Sequence, residues 1–213
     1  MDTSAFQAWV HEASLLITEH ATRLTELDSA IGDGDHGINL RRGFQAADDM
    51  IEKSESDTET PGAVLRTVGR ALISKTGGAS GPIYGTGFRQ AGKALGDVTE
   101  VDAVLLGSAL EAAFNGIQQL GAAQLGDKTL LDALGPAVVA YQAAVGEGGD
   151  LAAATRAAAD AAERGLAETI PMLARKGRAS YLGERTIGHE DPGAASTALI
   201  MRALAMVAAG ETS

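Results

Sequence analysis

Gly149-Asp-Leu-Ala-Ala-Ala-Thr-Arg-Ala-Ala-Ala-Asp-Ala-Ala-Glu-Arg-Gly-Leu-Ala-Glu-Thr-Ile-Pro-Met-Leu173 is the stretch that decides the fold class. It is dense in alanine, which has the best helix propensity and lets helices approach closely. Its residues Leu151, Ala158, Ala162, Leu166, Ile170 and Leu173 recur at spacings that share one helical face, so a helix is predicted over 149–173. The whole chain follows suit: aromatic residues make up 4%, against 41 alanines and 27 glycines, a balance that points away from an all-β domain.

Moving outward, Phe6, Val10, Ala13, Ile17, Leu24 and Leu27 recur at three-, four- or seven-residue steps and predict a helix over 4–27. Similar patterns cover 37–53, 62–75, 81–95, 99–120, 128–145 and 193–209. Short connections between about eight helices imply mostly antiparallel neighbours. No Pro/Ser-rich tract divides the chain and no internal repeat is found. The expectation is an all-α chain of 213 residues, 1–213 forming one domain, with the polar segment 52–60 an exposed loop.

Charge narrows the function. There are 28 acidic and 17 basic residues, a net charge of −11, which argues against a nucleic-acid polymer or an anionic membrane as partner and is compatible with binding cations. The absence of Cys removes disulfides, thiolate metal sites, iron–sulfur clusters and Cys nucleophiles. The start Met1-Asp-Thr-Ser is not a signal peptide, and no apolar run approaches the roughly 20 residues of a membrane span. A cytoplasmic location is expected.

The unusual chemistry sits in the loops. Leu27-Asp28-Ser-Ala-Ile-Gly32-Asp33-Gly34-Asp35-His36-Gly37-Ile38-Asn39 places three Asp within eight residues, each beside Gly or at a helix end. Like charges about 4 Å apart cost roughly 4 kcal/mol at an effective dielectric near 20, so converging carboxylates need solvent or a cation. Hard oxygen ligands suit Mg2+ or Ca2+; the competing reading is a solvated acidic turn in which Asp33 or Asp35 caps the next helix. An EF-hand fails, because Ile38 stands where its Gly is required and Phe44 where its Glu is required. Gly32-x-Gly34-x-x-Gly37 is no dinucleotide fingerprint, since no strand precedes it, and Gly87-x4-Gly92-Lys93-Ala94 lacks the Ser/Thr of a P-loop.

Three further loops could meet this one. Thr76-Gly77-Gly78-Ala79-Ser80-Gly81-Pro82 opens a helix with small residues that let backbone N–H groups approach an anion, though it also reads as ordinary helix punctuation. Gly126-Asp127-Lys128-Thr129-Leu130 is a helix start with Asp127 as a plausible cap and Gly121 before it. The segment Ala174–Gly193 carries four of the 17 basic residues, able to receive phosphate, and its Asp191-Pro192-Gly193 end announces the last helix. Acidic ligands, Gly-rich helix starts and a basic loop at one end of a helical bundle describe a metal–nucleotide site, where metal balances both sets of negative charge.

Taken together, Asp28-x4-Asp33-Gly-Asp35-His36-Gly37, Gly77-Gly-Ala-Ser80-Gly-Pro, Gly126-Asp-Lys-Thr129 and Arg175-Lys-Gly-Arg178-Ala-Ser-Tyr-Leu-Gly-Glu-Arg-x-Ile-Gly-His189-x-Asp191-Pro-Gly193 resemble the nucleotide-binding L subunit of bacterial dihydroxyacetone kinase, over the whole chain and in order. The resemblance implies a barrel of eight antiparallel helices with the nucleotide site in the loops at one end. It implies two Mg2+ ions on Asp28, Asp33 and Asp35. It also implies ADP or ATP contacts from His36, Gly37, Ile38, Asn39, Ala79, Ser80, Gly121, Leu130, Arg178, Asp191, Pro192 and Gly193. In that family the ketose is held on a His of a separate K subunit, so no catalytic residue is assigned here. A lone L unit resembles the phosphotransferase-system type: bound ADP acts as a cofactor, rephosphorylated by a phosphoryl-carrier M subunit with phosphoenolpyruvate as the ultimate donor. A kinase of erythrulose or a similar ketose, and a Mg-nucleotide-binding subunit acting on a transcriptional regulator, stand as alternatives, and a homodimer stays open.

Asp33→Asn is expected to abolish Mg2+-dependent ADP retention while leaving the helical circular-dichroism spectrum unchanged. If mutant and wild type hold ADP equally tightly in Mg2+, the metal assignment is wrong.

Overall fold

Five helices of this chain begin the same way, with an oxygen-bearing side chain turned onto the backbone N–H three residues ahead. Asp2 accepts from Ala5, Thr60 from Ala63, Asp102 from Leu105, Asp150 from Ala153 and Asp191 from Ala194. Each such cap satisfies an otherwise orphaned donor and stabilises its helix by about 1 kcal/mol. In the computed structural model, which describes residues 1–53 and 59–211, these signals divide the chain into nine α-helices among the described residues. They are α1 (Thr3–Glu19), α2 (Ala21–Ile31), α3 (His36–Lys53), α4 (Pro61–Lys75), α5 (Ser80–Leu95), α6 (Ala103–Gly121), α7 (Leu131–Gly146), α8 (Leu151–Glu168) and α9 (Pro192–Ala208). A 3-10 segment, Arg178–Thr186, lies between α8 and α9. The described residues contain no strand beyond an isolated bridge between Asp2 and Glu100, and none of these helices is long and apolar enough to cross a membrane.

The all-α expectation is borne out, with corrections at the element ends. The helix predicted over 4–27 is two helices: His20 leaves the helical region (φ −93°, ψ 6°), and α2 starts afresh. The helix predicted over 149–173 stops at Glu168. Thr169 turns its hydroxyl back onto the Leu166 carbonyl at 2.6 Å, and Pro171 disfavours helical backbone at Ile170. The helix predicted from 128 begins at Leu131, because Gly126 and Lys128 both take positive φ. Most of the segment 52–60, read as an exposed loop, lies outside the described residues.

Eight helices close a ring. α1 packs on α3, each helix from α3 to α9 packs on the next, and α9 returns to α1. α2 stands apart from this ring, leaning on α3, α9 and the 3-10 segment. Neighbours run antiparallel: the start of α4 meets the end of α5 at Gly62 and Gly92, and the start of α7 meets the end of α8 at Asp132 and Gly165. Inside the ring, Phe6, Trp9, Phe44 and Phe88 form a chain of ring contacts with centroids 5.8–6.0 Å apart, and one core cluster draws residues from α1 and α2 through α9.

Closure depends on glycine as much as on alanine. Gly62 and Gly69 on α4 face Gly92 and Gly85 on α5, two layers seven residues apart. A Cβ on Gly69 would stand 2.7 Å from the Gly85 carbonyl oxygen, which is backbone and cannot rotate aside. Gly69→Val is therefore expected to lower the unfolding free energy by about 1–3 kcal/mol through overpacking, read as a fall in the urea midpoint. An unchanged midpoint would mean that α4 and α5 are free to separate.

Candidate functional site

In an up-and-down ring every second connection falls at the same end. The connections 31–36, 75–80, 121–131 and 168–192 therefore share one end, and a cavity of about 240 Å³ opens among them. Of the residues expected at the site, Asp28, Asp33, Asp35, His36, Ala79, Ser80, Gly121, Leu130, Arg178, Asp191, Pro192 and Gly193 line it; Gly37, Ile38 and Asn39 do not. Gly37 packs against the Ala21 carbonyl of α2, and Ile38 is half exposed in the first turn of α3. Asn39 is buried, accepts from Arg42 at 3.0 Å and lies against Gly77, beneath the Gly77–Gly78 turn.

The acidic loop is organised by Asp28. This residue sits on the last full turn of α2 and is buried. One of its oxygens, Oδ2, accepts the N–H of Asp35 at 2.8 Å and of His36 at 3.1 Å, so α2 supplies the cap of α3. The capping role that the sequence offered to Asp33 or Asp35 belongs to Asp28. Gly32 must lack a Cβ, which would collide with the Asp28 carboxylate, and Gly34 turns the chain with φ 74°. The result brings one ligand oxygen each from Asp28, Asp33 and Asp35 within 4.8 Å of one another. Arg178 reaches Asp33 Oδ2 at 3.1 Å, but its side chain is 68% exposed, so this pair contributes little net stability. Three carboxylates at this spacing form a hard-oxygen donor set that fits Mg2+ or Ca2+.

Behind the carboxylates lies a buried polar chain that sequence reading missed. Burial holds the His36 imidazole below its ordinary pKa, against the pull of Asp28 and Asp35. A neutral ring has one donor and one acceptor, and both are used: Nδ1 meets Ser80 Oγ at 3.1 Å and Nε2 meets Ser196 Oγ at 2.9 Å. Tyr84 continues the chain to Ser196 and Thr197 and donates to the Gly193 carbonyl at 2.8 Å. Burial raises its pKa, so the hydroxyl keeps its proton. The starts of α3, α5 and α9 are thus fixed to one another. Tyr84, Ser196 and Thr197 fall inside predicted helices, and nothing in their spacing marks them as polar partners.

The 122–130 loop corrects a second reading. Asp127 does not cap α7; its Oδ2 accepts from Gln124. Asp132, already inside α7, folds back to accept from Gly126 at 2.5 Å and Thr129 at 2.7 Å. At the start of α9, Asp191 is buried, and its Oδ2 accepts the Ala194 N–H at 2.7 Å. Burial pushes its carboxyl up to about 7, with Asp132 adding to the rise and the Ala194 N–H and Lys128 opposing it.

That shift has a sign. The folded chain holds the Asp191 proton more tightly than the unfolded chain, whose value is near 3.8. The stabilisation is complete below that value and is lost as pH rises towards about 7. In chelator, wild type is expected to lose more stability between pH 5 and 8 than Asp191→Asn, which stays neutral and can still cap. Parallel urea midpoints across that range would contradict the raised carboxyl.

Comparison with known proteins places the chain in a family. The DAK2 domain family matches residues 30–206. The ADP-binding subunit of a PEP-dependent dihydroxyacetone kinase of Listeria innocua is 41% identical over 196 residues, which is 92% of either chain. An L-erythrulose kinase of Pectobacterium atrosepticum is 33% identical over 205 residues, covering 96% of this chain and 35% of that one. The structure of a dihydroxyacetone kinase from C. freundii in complex with AMP-PNP and Mg2+ superposes with a TM-score of 0.73 at 25% identity, over 95% of this chain and 33% of the other. The chain thus spans about a third of the erythrulose kinase and of the C. freundii enzyme, and nearly all of the Listeria subunit. By sequence and by fold, this chain belongs to the DAK2 domain family.

Proposed function

We propose that this chain is the nucleotide-holding subunit of a split dihydroxyacetone kinase. It would bind ADP or ATP with Mg2+ and present the γ-phosphoryl group to dihydroxyacetone held on a separate K-type subunit. The observation that carries the reading is the convergence of Asp28, Asp33 and Asp35 on a cavity whose other walls are helix starts and Arg178. Carboxylates repel a polyphosphate unless cations stand between them, and helix N-termini attract one. The ADP-binding role named for the Listeria subunit, matched over 92% of either chain, supports the same reading, as does the nucleotide complex of the C. freundii enzyme.

In this reading the chain 1–213 acts as one unit, supported by its single described core. Asp28, Asp33 and Asp35 would hold two Mg2+ ions. Bound there, the metal supplies charge neutralisation on the phosphoryl oxygens. Every other contribution belongs to the protein. The N–H groups at the start of α5, at Ala79 and Ser80, would face anionic oxygens, whereas Gly37 and Ile38 lie outside the cavity lining. Neutral His36 keeps the starts of α3 and α5 in register through Ser80. Arg178 lies at the boundary between carboxylates and phosphates. Gly121 and Leu130 offer a small, apolar wall to the base. In the transfer, the bond from the γ-phosphorus to the ADP oxygen breaks and one to a ketose hydroxyl oxygen forms. The hydroxyl proton leaves to a base on the partner, so this chain positions and neutralises rather than moving protons.

The donor that reloads ADP would be a phosphoenolpyruvate-dependent phosphoryl carrier of M type, following the PEP-dependent relative. Erythrulose is the second substrate reading, favoured by the Pectobacterium match. The residues that would choose between ketoses lie on the partner. A transcriptional regulator as partner and a homodimer draw no support from these relatives. A cytoplasmic location belongs to the same reading.

Native mass spectrometry of the purified chain is expected to show co-purifying ADP that chelator releases. The chain alone should form no dihydroxyacetone phosphate from ATP, and turnover should begin on adding a K-type subunit. Turnover without that partner would overturn the split-enzyme reading.

A further inference from the structure

Lys128 has no part in the scheme above, yet it is among the largest fully buried side chains, with 1% exposure. Its backbone takes the left-handed conformation, φ 61°, although it is not glycine, so the surrounding structure must hold it there. Its ammonium has three N–H donors, and backbone carbonyls take all of them: Thr169 at 2.6 Å, His189 at 2.6 Å and Met172 at 3.2 Å. A buried lysine near a phosphate site is ordinarily read as a phosphate ligand. Here no donor is left for one.

The identity of the three carbonyls says what the lysine does. Thr169 is the C-cap of α8, so the positive charge sits at the negative end of that helix. His189 lies two residues before Asp191, the N-cap of α9. One ammonium therefore joins the end of α8 to the start of α9 and closes the intervening loop. Backbone bonds stitch the same seam: Arg175 N–H donates to the Asp127 carbonyl at 3.0 Å, Gly188 N–H to Ile170 at 2.8 Å, and Asp191 N–H to Thr169 Oγ1 at 3.0 Å. Arg178 rides on this loop, its own side chain exposed and paired with Asp33 of the acidic turn across the cavity.

We propose that Lys128 is a positioning residue of the nucleotide site: by closing on the Thr169, Met172 and His189 carbonyls, its ammonium fixes the 170–190 loop, and with it Arg178 and Asp191–Gly193, in the place where a Mg2+-bound nucleoside diphosphate is received. The proposal rests on the nucleotide reading above. It also makes a claim independent of that reading, that the loop is anchored by a side chain from another connection.

The test uses Lys128→Met, which keeps the apolar stem and removes the ammonium, together with Arg178→Ala and the double variant. Titration calorimetry with Mg-ADP should show binding weakened about 10- to 100-fold by Lys128→Met. The double variant should be no more than about threefold weaker than Lys128→Met alone, because a released loop has already lost the Arg178 contact. Trypsin should nick Lys128→Met between Arg175 and Arg185 at least about tenfold faster than wild type, with the helical spectrum and cooperative melting retained. Affinity losses that multiply, or an unchanged nicking rate, would overturn the positioning role. If Lys128→Met does not fold, Lys128→Gln, which keeps two donors, takes its place in every arm, and failure of both to fold would make Lys128 a global rather than a local anchor and so contradict the proposal. A wild type that binds no Mg-ADP overturns the nucleotide reading and the positioning role with it, whereas accelerated nicking in that case would still uphold the loop anchor.

Discussion

Three carboxylates must be held with oxygens inside 4.8 Å of one another, and the chain meets this constraint at Asp28. Two carboxylates on a glycine turn would drift apart by their own repulsion. Asp28 prevents this by arriving from a helix and spending one oxygen on the backbone N–H groups of Asp35 and His36. That contact fixes where α3 starts, which fixes His36. The imidazole reaches Ser80 and Ser196 and so ties α5 and α9 to the same origin. Breaking the first link would loosen the whole end of the barrel, because each later link takes its position from the one before.

The ring that carries these helices is thin-walled by composition. Alanine and glycine at the contacts let axes approach until backbone touches backbone, as at Gly69 and Gly85. The large side chains are then left for the middle, where four aromatics meet. Helices so close have little room to slide. That rigidity matters for a site built wholly from connections, since loops are only as precise as the helix ends that bear them.

Much of this was legible in the sequence. The 3.6 period gave the helices, and their alternation told which loops could meet. Carboxylate spacing singled out Asp28, Asp33 and Asp35, and the cavity gathers them with Arg178 and Asp191. What escaped was whatever depends on one side chain turning against its local pattern. The break at His20 has no glycine or proline to announce it. Asp28 looked like a ligand and proved also to be a cap, because capping from a preceding helix leaves no sequence spacing of the usual kind. Asp127 has the right type and place for a cap, yet Asp132 takes the donors. Lys128 stood only as part of a helix start, and its burial and three carbonyl partners reveal its use.

The alternation of connections puts the remaining turns at the end of the barrel away from the cavity. The turns at 95–103 and 146–151 lie there, separated from the cavity by a helix of 16 to 19 residues, or about 25 Å of rise. Nothing described at the site draws a hydrogen bond from them. At that pole the 95–103 connection buries Val101 and receives Arg66 and Tyr141, whereas most of 146–150 is exposed, so an insertion is cheapest at 146–150. A label, a surface tether or a second protein spliced into 146–151 would ride on the barrel as on a handle, leaving the carboxylates and their partners undisturbed.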